Sequence, residues 1–306
     1  MARRKRFRGR PIDGLLILDK PTGMTSNAAL QRVKTIFFAA KAGHTGSLDP
    51  LASGMLPICF GEATKFSQFL LDADKGYIVE GKLGERTETA DADGEIIEVR
   101  PVKVSERQLR KLLPEFSGDI EQVPSMYSAI KYQGQPLYKL ARQGIEVARQ
   151  PRPVTIHQLE LLSFAPPYFS LRVDCSKGTY VRNLVEDIGE ALGCGAHVTQ
   201  LRRTWVGQFD ERDMVTLAEL EALYEAKDFK RLNALIRPMD EIVAHWPEIE
   251  LDAEMAEWML QGQPLLIPRT PVDGWVRLYD ETGIFLGVGE ILDDGRVAPK
   301  RLVVRR

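Results

Sequence analysis

The sequence predicts an α+β protein of two unequal domains, and three observations carry that reading. Its 306 residues exceed a single typical domain of about 150. Strand and helix patterns alternate through the first 247 residues. Residues 248–306 are short, glycine-punctuated and strand-rich. A composition of 44% hydrophobic and 27% charged residues, with 25 Gly and 18 Pro, excludes disordered and collagen-like chains. No uninterrupted apolar run approaches the roughly 18 residues that span a membrane. The basic N-terminus runs into Pro11, Ile12 and Asp13 rather than a secretory stretch. The expected location is the cytoplasm, away from any membrane.

In order along the chain, Leu15 to Leu18 reads as a buried strand running into a Pro/Gly turn. The stretch TSNAALQRVKTIFFAA has helical spacing behind a Ser or Thr cap. Tyr77 to Leu83 is a second strand, from which the acidic turn ERTETADADGEI leads into another. DADG in that turn has part of a calcium loop's spacing but lacks the other ligands, so a hairpin turn is expected. Ser105 to Leu113 predicts a helix with Ser105 and Gln108 at capping-box spacing and Pro114 at its end. Residues 124–153 interleave Tyr127, Tyr132 and Tyr138 with Lys131 and Lys139, a mixture suited to stacking on RNA, around a helix predicted from about Gln135 to Gln143.

Phe169, Leu171, Val173 and Cys175 alternate with polar residues, as in a half-buried strand. Val181, Leu184, Val185, Ile188 and Leu192 form the apolar stripe of a helix ending at Gly193, with Arg182 beside the stripe rather than in its centre. A further helix covers 216–227, Pro238 to Pro247 is read as a connector, and a hairpin turns around Glu281 to Gly283. No internal repeat of fixed period is present.

Cys59, Cys175 and Cys194 form no CxxC pair, and His44, His157, His197 and His245 lack zinc spacing, so neither a disulfide framework nor a structural metal is expected. The formal charge is −2, but the first ten residues carry six basic side chains and no acid. A cationic arm on an acidic body suits contact with phosphates, although a solubility tail has the same composition.

The chemistry concentrates in GHTGSLDPLASGMLP, residues 43–57, where glycines and prolines surround one carboxylate, Asp49. Such density predicts a rigid, irregular loop. Pro50 confines Asp49 to extended conformations, so the backbone aims the carboxylate, as a nucleophile or base requires. The alternative is that Asp49 caps a turn or a helix beginning near Pro50.

KPTGMTS (Lys20 to Ser26), the 43–57 segment and SKGTYVRNLVEDIG (Ser176 to Gly189) resemble, in order and spacing, three signature motifs of the TruB family of bacterial tRNA pseudouridine-55 synthases. The resemblance covers almost the whole chain. It implies a largely antiparallel mixed sheet in the catalytic domain, residues 11–247, behind a basic arm at 1–10. It further implies an RNA-gripping insertion at about 124–153 and a PUA-like RNA-binding domain at 248–306. The implied enzyme is an isomerase that converts a uridine of the tRNA T loop to pseudouridine with no cofactor and no metal. It would act as a monomer, on an isolated T-arm stem-loop and without a guide RNA.

The same resemblance assigns Asp49 as the catalytic nucleophile and Arg182 as the cation that keeps it ionised and oriented. Arg182 on its own has an alternative partner in Glu186, one helical turn on. Tyr77 is implied to stack on the target uracil and mediate proton transfer. Tyr180 and Leu201 are implied to wall the uracil pocket, and His44 to fill the space left by flipped bases. Lys20 and Pro21 are implied to support the catalytic loop, with Lys20 also counted among the substrate-binding residues. Breaking a C–N glycosidic bond and re-forming it as C–C calls for a nucleophile that holds one fragment while the base rotates, and a carboxylate meets that need. Attack at C1′, assistance to glycal formation and addition at C6 all remain open. A non-catalytic RNA-binding or tRNA-remodelling protein on the same scaffold is the principal alternative. A glycosidase would need a second carboxylate, which the Asp49 loop does not contain.

Overall fold

The computed structural model describes residues 9–128, 130–268 and 270–304. The basic arm's residues 1–8 lie outside them. The chain opens with strand β1 (Gly14–Lys20), helix α1 (Ser26–Ile36), strands β2 (Ala42–His44) and β3 (Ser53–Phe60), and helix α2 (Ser67–Asp72). Strands β4 (Lys75–Leu83), β5 (Glu85–Thr87) and β6 (Ile96–Val99) precede helix α3 (Glu106–Leu112) and strand β7 (Gly118–Gln122). A small hairpin, β8 (Lys131–Tyr132) and β9 (Gln135–Pro136), carries helix α4 (Leu137–Ala141). Strands β10 (Arg152–Ala165) and β11 (Tyr168–Cys175) lead to helix α5 (Val181–Ala191), strands β12 (Ala196–Val206) and β13 (Val215–Thr216), and helices α6 (Leu217–Glu225) and α7 (Phe229–Ala234). The remainder is β14 (Glu248–Leu251), α8 (Ala253–Leu260), β15 (Leu265–Leu266), β16 (Gly274–Asp280), β17 (Phe285–Ile291) and β18 (Arg296–Leu302). No helix among the described residues is long and apolar enough to cross a membrane.

The α+β class and the largely antiparallel sheet hold. A nine-stranded sheet runs β13-β1-β3-β12-β4-β11-β10-β7 with β2 alongside β3, and only β1/β13 and β3/β12 pair in parallel. β1 is apolar from Leu15 to Leu18 because it is buried there on both faces: Leu16 and Leu18 face one core cluster, Leu15 and Ile17 another. Along β11 the expected alternation puts Phe169, Leu171, Val173 and Cys175 inward. The stripe of α5 packs into that same core through Val181, Leu184, Val185 and Ile188.

Several expectations are corrected. The 43–57 segment is only partly loop: its second half is β3, whose Met55, Leu56 and Ile58 are fully buried. Gly54 within it, at φ +97°, allows the Arg203 backbone of β12 to come so close that a Cβ would stand 2.2 Å from the Arg203 carbonyl oxygen. The helix predicted over Gln135–Gln143 shrinks to Leu137–Ala141, because Gln135 pairs with Tyr132 and extended Pro136 becomes the N-cap. Pro114 does not end its helix outright but sits in the first turn of a 3₁₀ continuation, Leu113–Phe116. The capping box of Ser105 and Gln108 forms as expected. Between Pro238 and Pro247 the connector is a 3₁₀ turn whose Ile242 and Val243 are buried.

The second sheet, β14-β16-β17-β18-β15, does not stand clear of the first. Val288, Trp275, Phe285 and Val303 share one core with Phe66, Phe69 and Trp246. Trp246 stacks on Trp275 with ring centroids 5.2 Å apart, and Phe69 meets both edge-on. Lys65 Nζ donates to the Leu302 carbonyl at 2.8 Å, and the Val304 amide donates to Glu62 at 2.8 Å.

Candidate active site

Asp49 stands at the tip of a turn held from both sides. The Ala52 amide donates to the Asp49 carbonyl at 3.1 Å, and the Gly23 amide to the Pro50 carbonyl at 2.8 Å. Pro50 thus takes the second position of a tight turn, where its fixed φ costs nothing. Ser26, buried at the start of α1, donates to the Leu48 carbonyl at 3.0 Å and accepts from the Leu48 amide at 2.7 Å. The KPTGMTS segment is therefore the mount of the loop. Lys20 belongs to that mount: it is fully buried, and Nζ donates to the carbonyls of Pro21 and Met24, both at 2.8 Å. Burial lowers its pKa to about 8, with the nearby Asp49 charge opposing. It does not line the cavity that Asp49 faces.

The Asp49 carboxylate caps nothing; Oδ2 lies 2.9 Å from Arg182 Nε. Arg182 is not beside the buried face of α5 but in it, with 6% of its side chain exposed. Nη1 donates to the Thr89 carbonyl at 2.8 Å and to Asp91 Oδ2 at 3.3 Å, and Nη2 to the Tyr127 carbonyl at 3.1 Å. A guanidinium so deeply buried requires this many partners, because an uncompensated charge there costs several kcal/mol. Glu186, the alternative partner, pairs instead with Arg86 at 3.1 Å.

Asp91 is the residue that sequence reasoning missed. It lies in the DADG turn between β5 and β6, and its buried carboxylate is Arg182's second counter-charge. The turn forms as expected, but its acids do not all face solvent.

The cavity in front of Asp49, about 490 Å³, brings together His44, Asp49, Tyr77, Tyr180, Arg182 and Leu201. All but Lys20 of the site residues expected from sequence therefore meet in one place. Tyr77 on β4 and Leu201 on β12 reach it from neighbouring strands, with Leu201 opposite Val79 and Tyr77 opposite Arg203. Tyr180 is fixed by its backbone: buried Gln122 accepts from its amide at 3.0 Å and donates to its carbonyl at 3.2 Å. A larger cavity of about 590 Å³ lies beyond Pro50 and Leu51 and shares Leu201. Its Arg202 is already paired with both Asp19 and Glu211, so the smaller cavity is the one equipped for chemistry.

The electrostatics of the smaller cavity are set by partial dryness. Burial raises the Asp49 pKa, Arg182 opposes that, and Asp91 and Asp93 add to it. The carboxylate keeps 41% of its side-chain surface open and lines the cavity. Burial also raises the pKa values of Tyr77 and Tyr180. It lowers that of His44, with Arg203 contributing, so the imidazole is neutral and poorly suited to hold a proton at pH 7. Among the described residues, no cluster of His, Cys, Asp and Glu is arranged to hold a metal ion.

Comparison with known proteins meets this geometry over the whole chain. Residues 34–181 match the TruB family pseudouridylate synthase N-terminal domain, 182–244 the tRNA pseudouridylate synthase B C-terminal domain, and 247–303 the C-terminal domain of pseudouridine synthase II TruB. The chain is 56% identical to tRNA pseudouridine synthase B of Tolumonas auensis, covering 99% of this chain and 96% of that one. To the enzyme of the same name from Pseudomonas aeruginosa it is 55% identical, with 99% of each covered. Among solved structures, a Cbf5-Nop10-Gar1 complex contains a chain with TM-score 0.73 and 27% identity, covering 96% of this chain and 84% of that one. A further match, from an H/ACA RNP bound to a substrate RNA containing 2′-deoxyuridine, has TM-score 0.74 and 25% identity, with 100% and 92% covered. A mounted aspartate, its buried arginine and a full-length match to enzymes of one kind lead to one conclusion: the chain belongs to the TruB family of tRNA pseudouridine synthases, isomerases of RNA.

Proposed function

We propose that the chain isomerises uridine 55 in the T loop of tRNA, with Asp49 as nucleophile. The observation that carries this reading is the Asp49–Arg182 pair at 2.9 Å, on a turn that leaves the carboxylate no freedom except toward the cavity. The target uridine is stacked in a folded loop and must be extruded to reach it. Tyr77 would then lie against the uracil face and mediate proton transfer, Tyr180 and Leu201 would wall the ring, and His44 would fill space vacated by flipped bases. Arg182 keeps Asp49 ionised against the burial that favours its neutral form. Lys20 supports the loop from beneath.

In this reading residues 11–247 carry the chemistry and 124–153 grip the RNA with exposed Tyr132. Residues 248–306 and the basic arm add backbone contacts. The protein works in the cytoplasm as a monomer on a T-arm stem-loop, with no guide RNA. Isomerisation must expel the uracil C5 hydrogen, so tritium at C5 of a T-arm RNA should appear in water when only the protein is added. No release at any salt concentration, with RNA still bound, would leave a binding or remodelling protein.

A further inference from the structure

The catalytic cavity contains a second buried guanidinium that the roles above leave unused. Arg203 is 1% exposed, yet it lines the cavity together with Lys75. Its Nε donates to the Met55 carbonyl at 2.7 Å and Nη2 to the Gly46 carbonyl at 3.0 Å. Lys75 donates to the carbonyls of Leu71, at 3.1 Å, and Ala73. Neither cation has an ion pair with a carboxylate among the described residues. They converge on one place: a Cβ on Gly46 would stand 3.5 Å from Arg203 Nη1 and 3.8 Å from Lys75 Cε.

Arg182, which lines the same cavity, is paired with two carboxylates. Arg203 and Lys75 hydrogen-bond backbone carbonyls and form no ion pair among the described residues, with the Tyr77 hydroxyl also on Arg203 and Asp74 and Asp72 acting on Lys75 from a distance; the carbonyl dipoles offset part of the cost of burying a charge. The remainder is felt locally. Burial and then Arg203 push Lys75 down to about 8, and the same two causes keep His44 neutral. A cavity wall that sustains uncompensated positive charge is complementary to negative charge that arises during the reaction.

We propose that Arg203, assisted by Lys75, stabilises the negative charge that develops on the uracil ring when the glycosidic bond is broken. This rests on the isomerase reading with Asp49 as nucleophile. In displacement at C1′, an Asp49 oxygen forms a bond to C1′ while the C1′–N1 bond breaks, and its electron pair leaves on uracil, spread over N1, O2 and O4. Closure through C5 returns a pair to C1′ and frees the carboxylate; the C5 proton then leaves to water while N1 takes up a proton, so that the product is an isomer of the substrate. If Asp49 instead adds at C6, the pair displaced from the C5–C6 double bond comes to rest on O4. Either way the ring oxygens become anionic beside Tyr77, where Arg203 stands in register. A preorganised cation acts there at no further cost of reorganisation.

The test compares leaving groups. Single-turnover loss of the N-linked nucleoside is measured with the full chain on T-arm RNA carrying uridine or 5-fluorouridine at the target, fluorine making the ring a more stable anion. Arg203→Gln is expected to lose roughly 10²- to 10³-fold on uridine, at least about fivefold less on 5-fluorouridine, and no more than about threefold in RNA affinity. Lys75→Met spares the hydrogen bonds to Met55 and Gly46; it should show the same bias with a loss of roughly tenfold, and it carries the test if Arg203→Gln does not fold. Equal losses on both rings in a folded variant, as for a purely structural arginine, would overturn the proposal. So would a loss confined to affinity, as for a phosphate contact. Turnover by Asp49→Asn would overturn the nucleophile reading instead.

Discussion

The two walls of the cavity in front of Asp49 bury the same side chain in different ways. On one, Arg182 lies between Asp49 and Asp91, a single cation paired with two carboxylates. On the other, Arg203 rests on carbonyl oxygens with Lys75 alongside. The lesson is that a cluster of ion pairs fixes the position of a group already charged, whereas cations without a paired carboxylate are suited to a charge still to come. Breaking the first wall should therefore damage folding and rate together, and breaking the second should damage rate in a substrate-dependent way.

The largest effect is expected at the ion-paired wall. Arg182→Met leaves two carboxylates facing each other without their shared cation, and removing one partner of a buried ionic cluster costs about 3–5 kcal/mol. Turnover should fall with it, since Asp49 loses both orientation and the charge that keeps it ionised; equilibrium denaturation and tritium release check the two losses. Next comes the junction between the sheets. Phe69 packs edge-on against both Trp246 and Trp275 from α2, whose far end supplies Leu71 to the cavity. Phe69→Ala should cost about 3–5 kcal/mol, and deletion of 248–306 should expose that core rather than merely trim an RNA contact. A deletion protein with unchanged melting temperature would separate the two units after all.

Asp91→Asn is expected to be milder. Its amide oxygen still accepts from Arg182, so the site stays assembled, while loss of one of two counter-charges should lower the rate without a matching loss of RNA affinity. The smallest effect is in pH. Asp49 has a raised pKa, so the native state holds that proton at pH values where an unfolded aspartate, near 3.9, has released it. Stability from this group is greatest in acid and is lost as pH climbs from about 3.9 through the raised value. Activity runs the other way, rising as Asp49 ionises. The acid limb of the single-turnover profile should thus lie above the ordinary carboxylate range, and Asp91→Asn should move it down.

What was legible in the sequence differs between the walls for a physical reason. The Asp49 loop announced itself because rigid turns need Gly and Pro at fixed places, and α5 and β11 because one-sided burial imposes a period. The family resemblance pointed to Arg182, whereas local spacing offered only a pair with Glu186 and no sign of its burial, since its partners Thr89, Asp91 and Tyr127 come from distant parts of the chain. Asp91 looked like one more acid in a solvated turn. Arg203 left a fainter sign: in β12 it occupies the inward position after Leu201, where an apolar residue is expected. A charge on the buried face of a strand was the clue to the second wall. The 3₁₀ turn at 239–243 and the aromatic junction depend on contacts between remote segments and had no local period to betray them.

The central claim is that Asp49 is held ionised for chemistry at the expense of comfort in the fold, and one variant tests both halves. Asp49→Asn keeps the shape of the side chain, removes a charge that burial disfavours, and leaves Arg182 its bonds to Asp91, Thr89 and Tyr127. Tritium release from C5-labelled T-arm RNA, measured beside the thermal midpoint of the same preparation, should fall by roughly 10⁴-fold or more, with the midpoint equal to or above that of the unmodified chain. Retained release would contradict Asp49 as the nucleophile. A lost release accompanied by a clear drop in the midpoint would show instead that the Asp49–Arg182 pair holds the fold together.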